Sequence, residues 1–353
     1  MKNLIKSIVS ERFFLNLINV RDKAKYFKLS IERRNKLTAF VSMIFDRRYL
    51  NEHYSFLQGA YKYEKSLKSN KENKYFLRRN VHRLEKGLIM KPRKDVFALR
   101  FIQETVVAFE AACVSKTFVE SSEYTWCLEV LFEYFNVTNS IDKRYTKSKE
   151  IFLKLINAEH VNREEIPVLY ENIIDGTLRD GYEKIIKQRK SVRWYKPQRV
   201  PKDKIEHALL MASKSPSSCN RQPFRYVIVD DPTRAPDIAA IPAGTVGWSH
   251  NVPCIAVLVA DQSAFSNTAN RHSIYVDATL SVMPFVLSLE SQGLSSCIIN
   301  WADEPRKEKL MSSKLQLTEN EKVILSISIG YASEDQYVPY SKRKKVSELL
   351  TYV

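Results

Sequence analysis

Cysteine pairs, glycine and long apolar runs are all scarce in this 353-residue chain. Its five cysteines (Cys113, Cys127, Cys219, Cys254 and Cys297) are scattered, odd in number and without a Cys-x-x-Cys spacing. That excludes a disulfide framework and a zinc-thiolate site, and fits reduced thiols in a cytoplasm. Apolar stretches fall short of the roughly 18–20 residues that a membrane span needs. Residues 1–20 are interrupted by Lys6, Glu11 and Arg12, and no small-x-small cleavage site follows, so a secretory signal is not expected. With 8 Gly, 13 Pro and 44% hydrophobic residues, the chain has the means to bury one large core or two modest ones. It has no Gly/Ser linker, internal repeat or low-complexity tract.

Positive charge is plentiful, and it is unevenly placed. Residues 1–100 hold 25 Lys+Arg against 9 Asp+Glu, whereas the remaining 253 hold 31 of each, so the net +16 is entirely N-terminal. An acidic partner is expected there: an anionic membrane surface, a polyanionic glycan or an acidic protein. Leu4, Ile8, Phe13 and Leu17 give residues 1–20 an apolar side that suits a membrane face or the chain's own bundle. Nucleic acid is not expected, since basic charge is its sole support and no recognised module accompanies it.

The same region carries helical periodicity. Leu77, Val81, Leu84 and Leu88 recur at intervals of four, three and four, and Val96, Leu99, Ile102, Val106 and Phe109 continue the pattern beyond Lys91-Pro92. An aromatic-rich stretch over residues 124–135 and a shorter one over 151–156 bring the expectation to four or more helices. Residues 162–181 are the expected junction, dividing a basic helical domain (1–180) from a second domain (181–353). His82 and Glu85 stand one helical turn apart, but a lone pair of this kind is a structural contact, and no metal is assigned.

Chemistry concentrates in two runs. Arg189-Lys190-Ser191-Val192-Arg193 gathers cations and a hydroxyl; read as one helical turn, Arg189 and Arg193 share a face suited to bidentate phosphate binding, and Ser191 adds a neutral donor. Ser215-Pro216-Ser217-Ser218-Cys219-Asn220-Arg221-Gln222-Pro223-Phe224 clusters small hydroxyls and two amides in a loop that its prolines keep out of helix and central strand. Amides offer donor and acceptor side by side, which matches the imide edge of a flavin or pyrimidine. A short amphipathic helix around Ile205, Leu209 and Leu210 separates the runs, and residues 224–229 read as a strand, giving the order helix, helix, loop, strand.

This order resembles the nitroreductase family of flavin mononucleotide (FMN) enzymes, over residues 182–350. Further landmarks agree: an apolar strand over residues 252–261, a central helix opening at Asp277-Ala278 and running to Gly293-Leu294, a strand over 295–301, a strand ending in Ile329-Gly330-Tyr331, and a basic cluster over 342–345. The resemblance implies an α+β module, helices around a mixed, mostly antiparallel sheet, preceded by an all-helical N-terminal domain. It also implies a homodimer with two flavins at the interface. Carried over, Arg189 and Arg343 fall at the FMN phosphate, Ser191 at the ribityl chain and Arg193 at the pyrimidine edge, with Lys190 also among the cofactor-binding residues. Pro216, Ser217, Ser218, Asn220 and Gln222 border the ring from the partner subunit, and Ile299, Asn300 and Trp301 lie beside it. Where many relatives have two glycines, this chain has Asn300-Trp301, so a bulky indole is expected to narrow the pocket.

The implied activity is two-step hydride transfer from NADH or NADPH through FMN to a small organic acceptor such as a nitro compound, quinone, enone or pathway-specific metabolite, with no side chain as nucleophile. Cys219 reads as a small neutral residue, Cys297 as inert core, and Asp277 as a cap or orienting group of the central helix. The alternative is a flavin-binding accessory protein docking on a membrane or polysaccharide-assembly complex, because a long N-terminal domain on such a module resembles proteins encoded among bacterial surface-polysaccharide genes. The location expected is cytoplasmic, with a peripheral place at the inner face of the membrane.

Overall fold

A computed structural model of the chain describes residues 11–68, 73–156, 161–170, 175–334 and 337–353. In chain order the helices before the sheet are α1 (Glu11–Glu32), α2 (Lys36–Phe45), α3 (Arg47–Lys68), α4 (Lys74–Leu88), α5 (Ile102–Cys113), α6 (Lys116–Val119), α7 (Ser122–Val137), α8 (Lys143–Leu155), α9 (Gly176–Gln188) and α10 (Lys202–Ala212). Then follow β1 (Phe224–Val229), α11 (Ala235–Ala239), β2 (Cys254–Asp261), α12 (Ser273–Leu280), α13 (Val282–Ser291), β3 (Ser295–Asn300), α14 (Pro305–Leu315) and β4 (Glu321–Gly330). Leu4 and Ile8 lie outside the described residues; Phe13 and Leu17 are on α1 and exposed.

The sheet has the order β1-β2-β4-β3 and every strand pair is antiparallel. Among the described residues, its one parallel element is an isolated bridge between Ser191 and Ser296. β2 is central and apolar without alternation, as a strand covered on both faces must be. Cys254, Ala256, Leu258 and Ala260 join one apolar cluster with Phe285, Val286 and Leu289. Ile255, Val257 and Val259 join the other, with Ile238, Trp248 and Trp301.

The central helix is broken where a continuous one was expected. Pro284 has no N–H to offer the carbonyl of Leu280, so α12 ends there and α13 begins at Val282. The freed Leu280 carbonyl accepts a bond from Ser215 Oγ at 3.3 Å. Residues Thr268–Ser291 are long and apolar enough to cross a membrane by composition alone. Their Ile274, Ala278, Val282, Phe285, Val286 and Leu289 are instead buried against the sheet.

Packing divides the chain into Met1–Tyr54 and Ser55–Val353, in place of the 180/181 boundary expected. The reason is that helices after residue 54 contribute to the core of the sheet. Tyr63, Tyr75 and Phe76 belong to the same cluster as Leu258 and Ala260. Tyr75 donates its hydroxyl to Asp261 Oδ2 at 2.9 Å, and Ser55 Oγ donates to the Glu319 carbonyl at 2.8 Å. At Gly59 a Cβ would stand 2.5 Å from the carbonyl carbon of Gln262, so only glycine allows α3 to approach that turn. A third cluster, all helical, is built on Leu77, Val81, Leu84, Ile102, Val106, Phe109, Leu131 and Tyr134, as the periodicity required. Residues 96–101, however, precede α5 without joining a helix.

Candidate functional site

The first cationic run is extended, not helical. Arg189 caps α9 and leaves it at φ −54°, ψ 124°, after which Val192 N–H donates to the Ser296 carbonyl at 3.1 Å. The helical turn expected for residues 189–193 is thus replaced by a strap laid along β3. Asn251 fixes the strap further on: its Oδ1 accepts from Tyr195 N–H at 2.9 Å and its Nδ2 donates to the Arg193 carbonyl at 3.0 Å. The Tyr195 hydroxyl shares a hydrogen bond with Ser328 Oγ at 2.7 Å.

Because side chains alternate along an extended chain, Arg189, Ser191 and Arg193 still project to one side, with buried Val192 on the other. The grouping survives with a different cause. Arg189, Ser191 and Arg193 are half-buried and Lys190 is exposed. No carboxylate pairs with Arg189, Lys190 or Arg193 among the described residues, so the side that carries Arg189 and Arg193 is left strongly positive. Burial pushes the Cys297 thiol above its ordinary pKa, against the opposing pull of nearby Arg193, Ser191 and Arg189, which keeps it an inert neutral group next to these cations.

The second run is a tight turn with three non-glycine residues in the left-handed region: Cys219, Asn220 and Gln222, at φ 55°, 52° and 48°. Its shape is held from within and without. Gln222 N–H donates to Ser217 Oγ at 3.0 Å, and Gln222 Nε2 to Asn220 Oδ1 at 2.8 Å. Asp277 Oδ1 accepts from both the backbone N–H and the hydroxyl of Ser218, each at 3.0 Å. Arg78, on α4, donates Nε to the Asn220 carbonyl at 2.7 Å.

Asp277 lies inside α12 and orients this loop; it does not open the central helix as expected. Burial raises its pKa, with the Ser218 bonds and Arg221 acting against that rise. Arg221 is 8% exposed, with its guanidinium 4.3 Å from the centroid of the Phe265 ring, and burial depresses its pKa. Pro216 is exposed, and Ser217, Ser218, Asn220 and Gln222 are half-buried.

Beside the strap, β3 ends in Ile299, Asn300 and Trp301. Only Asn300 turns its side chain to solvent. Ile299 and Trp301 face the second apolar cluster with Met311 and Val323, so the indole expected to narrow a pocket is core. Arg343 is exposed and donates to the Ser341 carbonyl at 3.1 Å. No hydrogen bond or ion pair joins it to Arg189, or residues 189–193 to residues 217–222, among the described residues. His82 and Glu85 pair at 3.0 Å, and Glu85 also accepts from Trp126 Nε1 at 2.9 Å, a link from α4 to α7. No cluster of metal-ligating side chains occurs among the described residues.

Sequence reasoning did not find Arg78, Asn251 or the loop-holding role of Asp277. Each is a polar residue whose partner is distant in sequence, 142 residues away for Arg78 and Asn220. No local pattern announces such a pair.

Residues 186–246 and 233–331 match the profile of the Nitroreductase family. Among curated proteins, the iodotyrosine dehalogenase 1 homolog of Caenorhabditis elegans is 25% identical over 273 residues, 63% of this chain and 83% of that protein. An iodotyrosine deiodinase of Haliscomenobacter hydrossis is 24% identical over 200 residues, 48% of this chain and 88% of that protein. Among solved structures, an FMN-dependent nitroreductase from Clostridium difficile is 25% identical and covers 44% of this chain and 91% of its own, with a TM-score of 0.38.

Proposed function

We propose, from the match of residues 186–331 to the Nitroreductase family profile, that this chain is an FMN-dependent oxidoreductase passing hydride from NADH or NADPH to a small organic acceptor. The observation that carries the reading is the strap: two guanidinium groups without acidic partners among the described residues flank a hydroxyl on one side of an extended segment. That donor set fits FMN. A phosphate dianion supplies the counter-charge for Arg189, the pyrimidine edge supplies acceptors for Arg193, and a ribityl chain supplies hydroxyls for Ser191.

In this reading Arg189 and Arg343 hold the phosphate and Arg193 meets the pyrimidine edge. A fixed cation there favours the negative charge that collects on that edge, and so raises the tendency to accept electrons. The protein acts as a homodimer, and Pro216, Ser217, Ser218, Asn220 and Gln222 of one copy border the ring bound by the other. Asp277 and Arg78 hold this border in a left-handed turn that the free chain would not keep. FMN, when bound, supplies the reversible hydride chemistry; the chain supplies binding, orientation and the cation at the reducible edge.

A second acceptor class is favoured by the names of the curated relatives, which are chiefly iodotyrosine deiodinases. In that case the acceptor is a halogenated phenol: the carbon–halogen bond breaks, two electrons and a proton give the carbon–hydrogen bond, and halide leaves.

The test begins with the visible spectrum of the purified protein and the mass of the flavin released by heat. Anaerobic titration with NADH and with NADPH then assigns the donor. Turnover of a nitroarene, a quinone and iodotyrosine, with free iodide measured, assigns the acceptor. A protein that holds no flavin after soaking in FMN would overturn the proposal; a flavoprotein that neither nicotinamide reduces would overturn the donor.

A further inference from the structure

A helix in a water-soluble protein turns its apolar stripe toward the core, and α2 does the reverse. Its stripe Leu37, Phe40, Val41 and Ile44 has the i, i+3, i+4, i+7 spacing of one face, and these residues are 70, 53, 44 and 55% exposed. Phe45, at the end, is 82% exposed, and the helix buries no residue. The half-buried positions are Thr38 and Ser42, round the other side.

The orientation is set by polar bonds. Asn35 Oδ1 accepts from Leu37 N–H at 2.9 Å and Thr38 N–H at 3.0 Å, while Thr38 Oγ1 accepts from Asn35 N–H at 3.2 Å and donates to the Glu32 carbonyl at 3.0 Å. This capping box ties the polar side of α2 to the end of α1 and leaves the apolar side outward.

Charge brackets the stripe. Arg33, Arg34 and Lys36 precede it, Arg47 and Arg48 follow it, and residues 37–45 carry no charge. Arg48 is paired with Asp46. Arg33, Arg34, Lys36 and Arg47 make no side-chain ion pair or hydrogen bond among the described residues. A ten-residue helix is about 15 Å long, roughly half the thickness of a bilayer core, so it can lie in an interface but not cross one.

We infer that α2 is a membrane-surface element, seating Leu37, Phe40, Val41 and Ile44 in the acyl boundary of an anionic bilayer while the cations at both ends meet lipid phosphates. Charge decides between occupants. A second copy docked face to face on this stripe would set cationic ends against cationic ends, which an anionic lipid surface avoids.

The experiment uses the full chain with vesicles of phosphatidylcholine alone and of phosphatidylcholine mixed with phosphatidylglycerol. The wild type should co-sediment with the anionic vesicles alone, less so as salt rises. A Phe40→Asp/Ile44→Asp variant should partition at least ~tenfold more weakly, since it sets charge where apolar area entered. No residue of α2 is buried, so this variant should keep the wild-type circular dichroism and thermal midpoint.

A Phe40→Trp variant supplies the second readout. Its added emission should shift to the blue on anionic vesicles and be quenched by brominated acyl chains. Unchanged emission, or sedimentation of the double Asp variant equal to wild type, would overturn the inference. Loss of a concentration-dependent oligomer in that variant, with vesicle binding intact, would give the stripe to a second copy and overturn it too.

Discussion

Helices α2 and α4 reverse what their compositions suggest. α2 has no charged residue after Lys36 and buries nothing; α4 carries five cations and buries Tyr75, Phe76, Leu77, Asn80, Val81 and Leu84. Apolar content therefore does not decide burial in this chain. The face that meets a neighbour decides it: in α4 the stripe meets α5 and α7, and in α2 a polar capping box turns the stripe away. The first arrangement is folding energy, and the second is unspent surface available to a partner.

The largest effect that can break this comparison is on stability. Leu84 is fully buried, so Leu84→Ala removes its packing and leaves a cavity, at a cost of about 2–5 kcal/mol. Phe40→Ala removes a larger but exposed side chain and should stay within about 0.5 kcal/mol of wild type. Urea denaturation followed by circular dichroism measures both. A Phe40→Ala variant as damaged as Leu84→Ala would mean that the α2 stripe is packed in solution, and the contrast would vanish.

A second effect separates the two groups of cations. Arg189→Ala should weaken FMN binding by about 1.5–3 kcal/mol, the range of a charge-assisted hydrogen bond, while Arg33→Ala should leave it unchanged. Flavin-fluorescence titration reads both constants. Equal losses would show that diffuse positive charge, and not the strap, attracts the phosphate.

The strap also shows what sequence spacing can and cannot settle. An interval of four between Arg189 and Arg193 puts them on one face of a helix, but four is also a multiple of the strand period, so the grouping was legible while the backbone was not. β1 was legible from its own residues and β2 to β4 as ordered landmarks of the family resemblance, of which the continuous apolar run over residues 254–260 is the plainest. The break before α13 was present in the sequence as Pro284, but its consequence depended on Ser215 being in place to satisfy the Leu280 carbonyl. The division at 54/55 was not legible. Tyr63, Tyr75 and Phe76 have the same apolar character whether they pack on a helical bundle or on the sheet, and tertiary contacts such as Tyr75 with Asp261 and Ser55 with Glu319 distinguish the two.

Trp301 gives a smaller effect of the same kind. Its indole is core and its buried Nε1 has no partner among the described residues, so Trp301→Phe removes an unsatisfied donor together with some volume. The two changes oppose each other, and the net cost should stay below about 1.5 kcal/mol. The variant's profile of acceptors should match wild type, because the side chain that changes does not face solvent. A widened profile would put the indole at the pocket after all.

The smallest effect compares two aspartates, one from each unit of the chain. Asp46, half-buried after α2, is held at about 2 by its bonds from Arg48; Asp277 is pushed above its ordinary value by burial. The signs of their pH dependence must differ. For Asp46 the folded chain binds the proton less tightly than the unfolded one, so its contribution is present above the unfolded pKa of about 4 and is lost as pH falls toward 2. For Asp277 the folded chain binds it more tightly, so the advantage is complete below the unfolded pKa and is lost as pH rises through the folded value. Against Asp46→Asn, then, wild type should gain in thermal midpoint from pH 3 to pH 6 on the ~4 scale of carboxylates; against Asp277→Asn it should lose ground over the rise. Two differences of the same sign would mean that one carboxylate sits in the other's kind of environment.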